Sequence, residues 1–147
     1  MVEPIATSSG ENPKLRIGDG DRVVVLQMGG LGDLVFTGEA LAALAAAGHR
    51  QRTTLVCRDE FAGLADMLPA PPARVIGLAF DPRRWHEPTA ALAAALKPVA
   101  AALEGVEAEI LIDAGHRPLW FSHVAAALLR PRDALGCHAA TELGRDA

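Results

Sequence analysis

The apolar run Val23-Val24-Val25-Leu26-Gln27-Met28, followed at once by Gly29-Gly30-Leu31-Gly32-Asp33, constrains this chain more than any other feature. Consecutive β-branched residues suit a strand covered on both faces, and Arg22–Met28 is the expected strand. The three glycines then allow backbone conformations that a Cβ would obstruct. From Asp33 to about Ala47, Leu34, Leu41 and Leu44 recur at helical spacing, and Gly48 stands where a helix commonly ends. Buried strand, tight turn and helix together read as the opening unit of a sheet flanked by helices.

The unit recurs along the chain. Further strands are expected at Thr53–Cys57, Arg74–Leu78, Glu109–Asp113 and, shorter, Ala134–Cys137. A short helix capped by Asp59 is expected through Met67, broken by Pro69, Pro71 and Pro72. A longer one runs from about Thr89 to Leu103, with a kink or break at Pro98. A last helix covers about Leu119 to Leu129. Alternation with short connections predicts an α/β fold: a doubly wound, parallel, Rossmann-like sheet of about five strands with right-handed crossovers. Ligands on such sheets bind beyond the carboxyl ends of the strands. The loops there are Gly29–Asp33, Arg58–Glu60, Phe80–Glu87 and Ala114–Arg117, and they hold the notable polar residues.

Composition narrows the function classes. The chain has 147 residues, half of them hydrophobic, enough for one domain with a real core. Residues 1–20 read as a flexible leader, 21–140 as the domain and 141–147 as a tail. Lys14–Asp21 is expected to lie along the domain edge before a Gly-Asp turn. A net charge of −4 does not favour a nucleic-acid or anionic-membrane surface. No apolar run reaches the ~18–20 residues of a membrane span, and no signal peptide is visible, so a cytoplasmic protein is expected. Cys57 and Cys137 lack metal-like spacing and read as reduced, buried thiols. No grouping of His, Cys and acids suggests a metal site, and no serine sits in a nucleophile turn.

The glycine turn itself admits three readings. It is a bare strand-to-helix connection, a dinucleotide site, or a seat for a working carboxylate. For the dinucleotide site, Gly30 and Gly32 supply the first two positions of the G-x-G-x-x-G fingerprint but Val35 occupies the third. Asp33 would also place negative charge where a pyrophosphate should sit, although Asp59 lies near the acidic position expected for a ribose. For the carboxylate reading, an ionised acid in a helix's first turn is favoured by the macrodipole and can accept a proton from a sugar hydroxyl. The plain alternative is that Asp33 only caps the helix.

Val23–Leu41, with its Gly29-Gly30-Leu31-Gly32-Asp33 turn and Thr37-Gly38-Glu39-Ala40-Leu41 helix start, resembles the opening of glycosyltransferase family 9, the lipopolysaccharide heptosyltransferases and their relatives. Thr54–Phe61 is similar to that family's second strand and next helix, Ile110–Asp113 to its fourth strand, and Ala134–Cys137 to its fifth. The resemblance covers about Asp21 to Cys137. It implies the N-terminal, acceptor-binding half of a GT-B architecture. The missing half would bind a nucleotide-sugar donor, and transfer would invert the anomeric centre with no metal and no cofactor. It makes Asp33 the general base on the acceptor hydroxyl, with Gly29, Gly30, Leu31 and Gly32 leaving room for acceptor and donor.

Arg83, Arg84 and His86 are candidates for an anionic group of the acceptor. His116 and Arg117, at the end of the fourth strand beside Asp113, are candidates for a second acceptor contact, close to Asp33 if the fourth strand neighbours the first. The expected partners are a sugar or glycan acceptor, a nucleotide-sugar donor, and a second domain or chain carrying the donor site. The chain is shorter than the family's enzymes by that domain, so a fragment, inactive alone, is expected. Two other readings stay open: an NAD(P)-type Rossmann oxidoreductase domain, and a non-catalytic Rossmann module.

Overall fold

A computed structural model describes residues 16–115 and 120–136, with only the backbone of Arg84 and Trp85. The leader up to residue 15, His116 and Arg117, Cys137 and the tail lie outside the described residues. Five strands form one parallel sheet: β1 Val23–Gln27, β2 Thr53–Arg58, β3 Arg74–Leu78, β4 Ile110–Asp113 and β5 Asp133–Gly136. Their order across the sheet is β3-β2-β1-β4-β5. The chain thus winds outward from β1 in one direction, then returns to β1's other side. That reversal puts a topological switch point between β1 and β4, where Leu26 pairs with Asp113.

Alternation along β1 shows why the strand is apolar throughout. Val23 and Val25 join Leu34, Leu41 and Leu44 of α1 (Leu31–Ala46) in the core on one face. Val24 and Leu26 join Val99 and Leu103 of α3 (Thr89–Leu103) and Phe121, Ala125 and Leu129 of α4 (Trp120–Leu129) on the other. Both faces are covered, so every position of β1 is buried. Each fully covered aliphatic side chain, such as Leu55 or Ile110, is stabilised by about 1.5–3 kcal/mol relative to exposure.

The boundaries differ from expectation where local chemistry decides them. Helix α1 begins at Leu31, not at Asp33, because Gly30 takes the N-cap position. The second helix is shorter than expected: α2 spans Asp59–Ala62, and a separate 3-10 turn covers Ala65–Met67. Asp59 does not cap α2. Arg58 holds the cap position with extended backbone, and Asp59 is the first helical residue. Gly77 on β3 lets α2 lie close, since a Cβ there would come within 2.7 Å of the Asp59 Oδ1. Helix α3 runs through Pro98 as one element, so of the kink or break expected there the break does not occur. Gly48 ends α1 as expected, with φ +86° and its N–H on the Ala45 carbonyl at 3.0 Å. The expected edge turn is also present: Asp21 N–H meets the Gly18 carbonyl at 3.0 Å, and Gly18 N–H meets Asp21 Oδ2 at 2.8 Å.

Cys57 is buried and free, and burial pushes its thiol up to about 11. Among the described residues no helix is long and apolar enough to cross a membrane.

Candidate functional site

At the end of β1 the one polar residue of the strand, Gln27, is 2 % exposed. A buried amide is costly unless its donors and acceptor are all met. Here Oε1 accepts the Gly29 N–H at 2.9 Å. Nε2 donates to Thr37 Oγ1 at 3.0 Å and to the Ala114 carbonyl at 3.0 Å. Thr37 Oγ1 in turn donates to the Asp33 carbonyl at 2.9 Å. One side chain therefore ties the glycine turn to the first turn of α1 and to the loop after β4, across the switch point.

Asp33 occupies the third position of α1, and its Oδ2 accepts the Gly30 N–H at 3.0 Å. This is half of a capping box, because glycine at the N-cap has no side chain to complete the other half. The carboxylate lies folded back over the turn, which explains Gly29. A Cβ on Gly29 would press on the Asp33 carboxylate and sit 2.8 Å from Gln27 Oε1 and 2.9 Å from Asp33 Cβ. The other two glycines are different. Gly30 has an extended backbone (φ −79°, ψ −176°), and its Cβ would meet nothing closer than 4.0 Å. A Cβ on Gly32 would meet nothing within 4 Å. The expectation that all three glycines avoid a steric obstruction thus holds for Gly29 alone, and there the cause is side-chain crowding.

Beyond these residues opens a cleft of about 370 Å³. Its walls are Gln27, Met28, Gly29, Gly30 and Asp33 from the first unit, Arg58 from the end of β2, Asp81, Pro82 and Arg83 from the loop after β3, and Gly115 from the loop after β4. All four loops singled out from the sequence contribute. The third is seated by aromatic packing: Trp120 Nε1 donates to the Pro82 carbonyl at 2.8 Å, and Phe80 packs on Trp120 and Phe121 with ring centroids 5.8 and 5.2 Å apart. The fourth is held by Asp113, whose carboxylate accepts the Gly115 N–H at 2.9 Å and the Ser122 hydroxyl.

The two arginines of the cleft are held differently. Arg83 grips Asp81 with both arms of its fork, Nε to Oδ1 at 3.0 Å and Nη2 to Oδ2 at 2.7 Å, while its side chain is 77 % exposed. The guanidinium holds the Asp81 carboxyl down at about 2. Arg58 is recessed, with 19 % of its side chain exposed; it pairs through Nη2 with Glu60 and lies over the Phe61 ring at 5.5 Å.

Of the residues picked from the sequence, Asp33, Gly29, Gly30 and Arg83 come together in this cleft. Leu31, 48 % exposed, lines instead an adjoining apolar groove of about 520 Å³ between α1 and the Leu64–Pro69 segment. Gly32 is exposed at the start of α1. Arg84 and His86 lie in the 3-10 turn Pro82–His86. His116 and Arg117 fall outside the described residues, although their strand does neighbour β1. Sequence reasoning did not single out Gln27, Thr37 or Arg58 as site residues. For Gln27 a signal existed: it is the lone polar residue in an otherwise apolar strand. Among the described residues no group of three or more His, Cys, Asp or Glu could hold a metal ion.

The doubly wound, five-stranded parallel sheet has the Rossmann-like form of the amino-terminal half of a GT-B architecture, and solved structures carry that assignment further. The chain is similar to the E. coli heptosyltransferase WaaC with ADP: 27 % identity, TM-score 0.52, covering 78 % of this chain and 34 % of that one. The same enzyme with ADP-2-deoxy-2-fluoro heptose gives 24 % identity and TM-score 0.52, covering 78 % of this chain and 36 % of that one. This chain therefore spans about a third of the length of the structures it matches. The likeness to glycosyltransferase family 9 seen in the sequence is thus present in the fold. No protein-family profile and no curated protein matches the sequence.

Proposed function

We propose that this chain is the acceptor-binding half of an inverting, family 9-like glycosyltransferase, with Asp33 as general base. The observation that carries the reading is the Asp33 carboxylate, fixed by the Gly30 N–H at 3.0 Å on the wall of a cleft at the switch point. A carboxylate so placed can take the proton of an acceptor hydroxyl as its oxygen attacks the donor's anomeric carbon. The new glycosidic C–O bond forms while the bond to the nucleoside diphosphate breaks, and the diphosphate leaves with the bonding electrons. No metal or organic cofactor takes part. WaaC's bound ADP and ADP-fluoroheptose make an ADP-linked heptose the donor to test first, with a lipopolysaccharide-type glycan as acceptor. A second domain or chain supplies the donor site, and the reaction belongs in the cytoplasm.

The dinucleotide reading has less support. The fingerprint's third glycine serves close helix–strand packing. Here that place is Val35, 60 % exposed and lining the groove between α1 and the Leu64–Pro69 segment. The experiment is transfer of heptose from ADP-heptose by this chain joined to a donor-binding domain. Asp33→Asn should lower turnover by about a hundredfold or more while leaving the melting temperature within a few degrees. Transfer at the original rate would remove Asp33 from the role of base. Binding of NAD(P)H by the chain would favour the oxidoreductase reading.

A further inference from the structure

A second pocket, of about 490 Å³, lies at the amino ends of the strands, and Arg22, Arg52, Thr54, Arg74 and Gly105 are among its walls. We infer that it is a binding site for a phosphomonoester, gripped between the guanidinium groups of Arg52 and Arg74. It stands at the opposite end of the sheet from the cleft. Strand β2 starts at Thr53 beside this pocket and ends at Arg58 in the cleft wall, about 16 Å further along. The site is separate from sugar transfer and does not rest on the reading of the function above.

The fold leaves the charge of these two arginines unused. Arg22, Arg58, Arg83 and Arg132 are each held by a carboxylate, and Arg50 donates to the Pro71 carbonyl at 2.9 Å. Among the described residues the side chains of Arg52 and Arg74 have neither an ion pair nor a hydrogen bond. Glu107, an acid on the same wall, is taken by Arg22. The end of α3 does not need them as caps, because its Ala101 and Leu103 carbonyls accept the Glu104 and Val106 N–H groups at 3.3 and 3.1 Å. Like charges on neighbouring strands destabilise a sheet, and an anion between them removes that cost. A chain of net charge −4 thus keeps two uncompensated cations in one place.

Strand register brings the two together. Arg52 closes the 3-10 turn Arg50–Arg52 that leads into β2, and Arg74 opens β3 in register with Thr54. Neighbouring strands lie about 4.8 Å apart and Arg52 is two residues ahead of Thr54, which puts both side chains on the wall of one pocket. A phosphomonoester dianion offers three terminal oxygens and two charges, a match for two guanidinium forks; a carboxylate has two oxygens and one charge and fills one fork. The Thr54 hydroxyl and the Gln51 amide, on the same wall, supply further donors. Space for the body of the ester lies beside Gly20 and Gly105, where a Cβ would meet nothing within 4 Å. A soluble sugar phosphate and a phosphatidate headgroup share this chemistry.

The test titrates the full chain with glycerol 3-phosphate and with acetate at constant ionic strength and follows backbone amide shifts by NMR. Glycerol 3-phosphate should bind at least about tenfold tighter than acetate, with shifts centred on residues 51–54, 74 and 105. Arg52→Gln and Arg74→Gln should each lose about tenfold. Arg50→Gln removes the same charge from an arginine outside the pocket and should stay within about twofold. Arg74→Lys keeps the charge without the fork, and a partial loss there supports the site even should a glutamine variant prove unstable by circular dichroism. Sedimentation with phosphatidylcholine vesicles containing phosphatidate separates the two sources. Retention that Arg52→Gln abolishes identifies the lipid headgroup, and binding of glycerol 3-phosphate without retention identifies a soluble ester. Equal binding of acetate, shifts centred elsewhere, or a loss in Arg50→Gln as large as in Arg52→Gln and Arg74→Gln would each overturn the inference.

Discussion

The two ends of this sheet carry similar side chains and use them in opposite ways. At the amino end, Arg22 pairs with Glu107 and Glu109, and Arg132 pairs with Asp21 and Asp133. These guanidinium side chains are 45 % and 54 % exposed, and they link strand starts to one another across solvent. At the carboxyl end the decisive polar groups are buried or recessed, and they bind loop backbone: Gln27 to the glycine turn and the β4 loop, Asp113 to Gly115. One end is closed by charges whose loss water can replace. The other is held open as a cleft by hydrogen bonds that are partly or fully shielded from water. The ends should therefore respond very differently to substitution.

The sharpest contrast lies in Gln27. Gln27→Leu keeps the volume but leaves the Gly29 N–H and the Ala114 carbonyl without their side-chain partner. We expect a loss of about 3 kcal/mol in urea unfolding, with the cleft residues losing amide-exchange protection first. A cost under about 1 kcal/mol would dissolve the distinction between the two ends. Next in size is Gly29→Ala, where the added methyl must displace the Asp33 carboxylate or the Gln27 amide. About 2 kcal/mol should be lost, as for other overpacked sites. Gly32→Ala, three residues on, should do the reverse and gain about 0.5–1 kcal/mol, because a methyl there meets only open space inside a helix. The opposite signs within one turn would show that Gly29 serves the site's geometry and Gly32 does not serve the fold.

How much of this could be read from the chain follows from the range of the forces involved. Strand and helix positions were legible because burial on two faces writes itself into consecutive residues: Val23–Leu26 and Leu34, Leu41, Leu44 needed no knowledge of partners. The strand order left the four loops together at one end, so the cleft's composition was legible as a set. The pairing within it was not. That Arg83 is occupied by Asp81 depends on a 3-10 turn at Pro82 seated by Trp120, which packs from 38 residues away. That Arg58 is recessed depends on α2 lying over β3, which Gly77 permits. The start of α1 was misplaced by two residues because Asp33 reads as a cap by type, whereas its carboxylate reaches back to the cap from inside the helix.

Acid should probe both ends at once. Arg22 holds the Glu109 carboxyl down at about 2, and Arg83 does the same for Asp81. Both lie below their unfolded values of roughly 4.3 and 3.9, so on acidification the unfolded chain takes up protons first. The stability these groups contribute is complete above about pH 4.5 and is lost as pH falls towards 2. Glu109→Gln should flatten that slope in chemical unfolding followed from pH 5 to pH 2, and an unchanged slope would mean that this amino-end pair contributes nothing.

The smallest effect belongs to Arg132. Its guanidinium bridges Asp21 and Asp133 with N–O distances of 2.9 and 2.8 Å, geometry that on paper fastens the chain before β1 to the edge strand β5. Exposed pairs of this kind gain little, because water solvates the separated ions nearly as well and ordering the long side chain costs entropy. Arg132→Ala should shift the melting temperature by no more than about 2 °C, and the shift should vanish in about 1 M salt, where the screening length is near 3 Å. A larger or salt-independent loss would mean that the amino end is held as tightly as the cleft, and the difference between the two ends would have to be sought in packing instead of in water's access to the charges.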